Sequence, residues 1–143
     1  MQFVCDAPNR KAWFRIETEG EALTESELMR HAVEKYFRRE VEAAKQSYRP
    51  ASAAFIERDI GLKAHIERTT PMFLTLRDHE GNALATAMLP PGGKDLPSFR
   101  TIVVGSGNVD PYPAQGDAIA ALGAHFGLNL SRERCYPYTN YGV

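Results

Sequence analysis

The stretch RTIVVGSGNVDPYPAQGDAIAALGAHFG, residues 100–127, decides the reading of the fold. Its β-branched run, Thr101, Ile102, Val103 and Val104, predicts a strand that stops at Gly105-Ser106-Gly107-Asn108. A helix then starts, with Asp110 as cap and Pro111 as first helical residue, or one turn later at Pro113. Ala118, Ile119, Leu122 and Phe126 share one face of that helix. Gly127 suits the left-handed position past its end, and Leu128 can fold back on Leu122. Small residues (Gly116, Ala118, Ala120, Ala121, Gly123, Ala124) keep the helix slim enough to lie close to its own sheet.

Upstream, two apolar runs, Met72 to Arg77 and Ala83 to Leu89, flank Asp78-His79-Glu80-Gly81-Asn82. Asp to open the turn and Gly where φ must turn positive predict a hairpin. A second hairpin is predicted at the N-terminus, from residues 2–5 and 12–17 around Asp6-Ala7-Pro8-Asn9.

Between the hairpins the pattern predicts one long helix. Thr24 and Glu27 have capping-box spacing, and Leu23 with Leu28 forms a hydrophobic staple. Leu28, Met29, Ala32, Val33, Tyr36, Phe37, Val41, Ala44 and Tyr48 follow helical spacing, and Pro50 disfavours helix at Arg49. About 24 residues at 1.5 Å each make a rod of about 36 Å. Glu17, Glu19, Glu21, Glu25 and Glu27 crowd its entry, while Arg38, Arg39, Lys45 and Arg49 lie towards its exit. Complementarity to the helix dipole accounts for this polarity, with Glu34–Arg38 adding an i, i+4 pair. Residues 52–68 fit two periods. Ile56, Ile60, Leu62, Ala64 and Ile66 alternate with polar residues, which favours a strand, although Ile56, Ile60 and Ala64 would also meet on a helix.

The expected fold is therefore α+β. A mainly antiparallel sheet, an N-terminal hairpin plus a three-strand unit, is packed by one long and one shorter helix in a single domain over residues 1–143. Helix, three strands and helix is also the element order of double-stranded-RNA-binding domains, but the basic start to the second helix is missing and no family resemblance is drawn.

Composition narrows the function classes. Seventeen Lys and Arg against eighteen Asp and Glu leave a net charge of −1, which argues against phosphate-neutralising nucleic-acid binding. No apolar run approaches a membrane span or a signal-peptide core, so a cytoplasmic protein is expected, with Cys5 and Cys135 as free thiols. Arg132 and Arg134 would lower the pKa of Cys135 if they lie close to its sulfur. His31, His65, His79 and His125 are scattered without metal-ligand spacing, so no metal and no cofactor is expected.

Two sites stand out. Gly105, Ser106, Gly107 and Asn108 could hold a small anion, since glycines let the backbone approach a ligand and the next helix supplies N–H dipoles. The loop is neither a P-loop nor a dinucleotide fingerprint. His65 with Glu57, Asp59 and Glu67 is the acid–base candidate, because on a strand His65 and Glu67 project the same way. Tyr136, Tyr138 and Tyr141 offer either a seal on the core or a docking surface. The leading expectation is a non-enzymatic ligand- or protein-binding module, homo-oligomeric. The alternative is a small acid–base enzyme using His65 with the nearby carboxylates.

Overall fold

Both predicted hairpins close. In the structure, a computed structural model describing residues 1–50 and 54–138, five strands form one antiparallel sheet. They are β1 (Gln2–Ala7), β2 (Lys11–Arg15), β3 (Met72–Arg77), β4 (Ala83–Leu89) and β5 (Ile102–Val104), each paired with its neighbour in sequence. The β3–β4 turn forms as its residues dictate. The Asp78 carboxylate accepts the N–H groups of Glu80 and Asn82 at 2.9 Å each, and Gly81 takes φ +85°.

Helices cover both faces of the central strands. On one face Trp13, Leu74, Leu76, Ala85, Ala87 and Leu89 pack against Ala118, Ile119 and Leu122 of the slim helix, Tyr112–Phe126. Trp13 is fully buried, and its indole N–H donates to the Ala118 carbonyl at 2.8 Å. The helix ends at Gly127 (φ +70°), and the Leu128 N–H returns to the Gly123 carbonyl at 2.9 Å. A short helix, Arg132–Cys135, follows and buries Cys135. On the opposite face Phe73 and Ile16 meet Ala22, Val33 and Phe37. The expected α+β class with an antiparallel sheet holds.

The predicted long helix is two helices. The first, α1 (Glu19–Met29), starts a turn and a half before Thr24, because Thr18 and Glu21 carry the same capping-box spacing and form the box. The Thr24 hydroxyl instead donates to the Gly20 carbonyl at 3.1 Å, within the helix. Leu23 and Leu28, 48% and 53% exposed, form no staple. Arg30 adopts φ +54° and ends α1, and α2 (Val33–Ser47) begins three residues later. Ser26 bridges the break: its hydroxyl accepts the Glu34 N–H at 3.1 Å and bonds back to the Glu34 carboxylate, so a side chain of α1 caps α2. On α2, Phe37 is buried edge-to-face on Phe73 (5.5 Å between centroids), Val41 is half-buried and Tyr36 stands half in water.

The favoured strand over residues 52–68 is a helix, α3 (Phe55–Thr69); residues 52 and 53 lie outside the described residues. It leans on α2 along one side only. Gly61 lies so close to the Tyr48 hydroxyl that a Cβ would fall 2.1 Å from it, while Ile56 and Ile60 are 72% and 66% exposed. The slim helix and the one after it are numbered α4 and α5. None of the described helices is long and apolar enough to cross a membrane.

Candidate functional site

The centre of the sheet is not wholly apolar. Thr75 and Thr86 face each other across β3 and β4, on the side covered by α1, and both are buried. Into that position α1 delivers Glu25, which is completely buried. Glu25 Oε2 accepts the Thr86 hydroxyl at 2.5 Å, and Oε1 accepts Arg77 Nη2 at 2.9 Å. Arg77 also donates to Thr75 Oγ1 at 3.0 Å and to the Gly81 carbonyl at 3.2 Å. A buried carboxylate needs this completeness, because a charge without partners in the interior is costly.

The break between α1 and α2 places the next member. By turning left-handed at Arg30, the chain swings His31 over the sheet, where Nε2 lies 2.8 Å from Thr86 Oγ1. Nδ1 accepts the Val33 N–H at 3.4 Å. Burial pushes the imidazole pKa below its ordinary value, against the opposing pull of the Glu25 charge. Arg77, Glu25, Thr86 and His31 thus form one string across the middle of the domain. Among the described residues no buried side-chain nitrogen or oxygen lacks a partner.

The string surfaces in a cavity of about 220 Å³. His31 and Thr86 line it with Val33, Tyr36, Phe73, Met88, Ile102 and Val104, so its walls are mostly apolar. Asn108 and Tyr138 line it too. The glycine loop therefore contributes one of its four predicted residues to the cavity, Asn108, and Gly105, Ser106 and Gly107 do not line it.

Within the loop three N–H groups are used internally. The N–H groups of Gly105, Asn108 and Val109 donate to the carbonyls of Val109, Gly105 and Ser106, and Asn108 (φ +62°) follows Gly107 (φ +63°). At the start of α4 the Asp110 carboxylate accepts the Tyr112 N–H at 3.0 Å and pairs with Arg132 at 2.5 Å. An acidic side chain thus occupies the place an anion would take.

The acid–base candidates are not brought together. On α3 His65 and Glu67 project about 200° apart. The His65 Nε2 lies 3.0 Å from Ser47 Oγ and the ring rests 5.2 Å from that of Tyr48, a packing role between α2 and α3. Glu57, Asp59 and Glu67 are exposed. Asp59 and Glu67 line a broad cleft of about 940 Å³, whose rim charges largely answer one another, as in Arg38–Glu19 and Lys45–Glu42. Cys5 and Cys135 are free thiols, and burial raises the pKa of Cys135 against the opposite pull of Tyr112 and Arg134, which corrects the lowering expected from its neighbours. Tyr136 donates its hydroxyl to the Asn108 carbonyl at 2.9 Å and so ties the tail to the loop; Tyr141 lies outside the described residues. Among the described residues no cluster of three His, Cys, Asp or Glu side chains could hold a metal ion.

Sequence reasoning missed His31, Glu25, Thr86 and Arg77. One signal was available: Thr75 and Thr86, each flanked by apolar residues within 72–76 and 83–89, mark a polar position in a sheet buried on both faces. No protein-family model, curated protein or solved structure matches the chain.

Proposed function

We propose that the protein is a non-enzymatic binding module whose occupant is a small, largely apolar molecule held in the cavity beside His31 and Thr86. One observation carries this reading: the buried polar string, the helix break and the Asn108 edge of the glycine loop converge on one apolar-walled space. Size bounds the occupant. An apolar protein cavity of about 150 Å³ accepts benzene, so about 220 Å³ accommodates one ring with a short substituent. Chemistry favours binding over turnover, since His31 uses both ring nitrogens within the fold and Glu25 has no contact with water. The catalytic alternative built on His65 has less in its favour, because Glu67 projects about 200° from His65 on α3 and the His65 Nε2 lies against Ser47 Oγ.

Titration of the labelled protein with toluene, followed by methyl and amide NMR, tests the reading. Shifts confined to Val33, Phe73, Thr86, Met88 and Val104 support it. Saturating probe with no shift at these residues refutes it. Ile102→Trp, which narrows the mouth from the edge strand, is expected to abolish the shifts while leaving far-UV circular dichroism intact.

A further inference from the structure

We propose that the cavity selects neutral aromatic molecules carrying a single O–H or N–H donor, which is accepted by Thr86 Oγ1. The inference rests on the binding reading above and follows from counting protons along the string.

A guanidinium can only donate, so Glu25 Oε1 accepts from Arg77, and Glu25 Oε2 takes the one proton of the Thr86 hydroxyl. Having given its proton to Glu25, Thr86 can only accept from His31, so His31 Nε2 carries a hydrogen. The Val33 N–H points at Nδ1, which therefore accepts, and the ring is the neutral Nε2–H tautomer. The Thr86 hydroxyl proton and the His31 ring proton are thereby each assigned to a bond inside the protein.

One acceptor site is left over. A hydroxyl oxygen has two lone pairs, and His31 fills one on Thr86. Donation to a carboxylate polarises that oxygen and strengthens it as an acceptor in a medium of low dielectric. The His31–Thr86 wall of the cavity thus offers an acceptor and no further donor; the other polar side chains lining it are Tyr36, Asn108 and Tyr138. Around it stand Val33, Phe73, Met88 and Val104. A ligand carboxylate would bring its charge against an acceptor with the Glu25 carboxylate one bond behind it. A donor on a neutral ring completes the set.

The test compares three probes of similar size on the full chain by NMR titration: phenol, toluene and benzoate. Phenol is expected to bind about tenfold tighter than toluene, the worth of one added neutral hydrogen bond, and benzoate not at all at the same sites. In Thr86→Val the preference for phenol is expected to vanish while toluene still binds. Thr86→Ser, which keeps the oxygen, is expected to retain the preference, so the inference stays testable even if the valine variant does not fold. Toluene binding as tightly as phenol to the natural protein, or benzoate displacing phenol, overturns the donor rule while leaving the cavity reading intact. Failure of both phenol and toluene to bind removes the cavity reading itself, and the donor rule with it.

Discussion

A carboxyl group taken fully out of water is costly unless its lone pairs are answered, and Glu25 has Arg77 on one oxygen and Thr86 on the other. His31 completes the arrangement as a neutral ring, which makes it a pH-sensitive part of the fold. Its pKa lies below the ordinary value of 6.5 in the folded chain. As pH falls through 6.5, the unfolded chain binds a proton that the folded one refuses, so folding stability falls. The urea midpoint is expected to be lower at pH 5.5 than at pH 7, and the difference to shrink in His31→Gln, which keeps an N–H donor but cannot titrate. A midpoint unchanged between the two pH values contradicts this assignment. Glu34, held below the usual carboxylate range chiefly by its bond to Ser26, contributes to the pH dependence only further into acid.

At the scale of elements, α4 shows how packing can outweigh propensity. Alanine is normally the better helix residue than glycine by about 1 kcal/mol. At Gly123, however, a Cβ would sit 2.8 Å from the carbonyl oxygen of Leu128, the residue whose N–H makes the helix-ending bond. Gly123→Ala is expected to lose about 1–2 kcal/mol in chemical denaturation, the overpacking cost exceeding the helical gain. Gly116→Ala, where a Cβ meets nothing within 4 Å, is expected to gain up to about 1 kcal/mol. Equal effects at the two sites would refute the packing argument. The same contrast explains what was legible beforehand. Hairpins and the end of α4 depend on local residues, Asp78, Gly81 and Gly127, and the sequence states them. The break after α1 has no glycine or proline; Arg30 is forced left-handed by the contacts of Ser26, Glu34 and His31 on either side. Without that break His31 has no address, so the site could not be read. Over α3 the alternation of Ile56, Ile60, Leu62 and Ile66 satisfied two periods at once, and tertiary contact at Gly61 and Tyr48 chose the helical one.

Across the described residues every strand pairs with its neighbour in sequence, but only the two hairpins are local, because β2 meets β3 across the three helices between them. The chain's two halves are joined by β2–β3 pairing and again where β2 meets α4: the Trp13 indole reaches the Ala118 carbonyl across 105 positions of sequence. Trp13 is also the single tryptophan of the chain. Its fluorescence therefore acts as a built-in gauge of whether the two ends have come together. In urea the emission maximum is expected to move to the red in step with the loss of ellipticity, as one cooperative unit requires. An emission shift that precedes the loss of ellipticity would reveal α4 lifting from a sheet that is still intact.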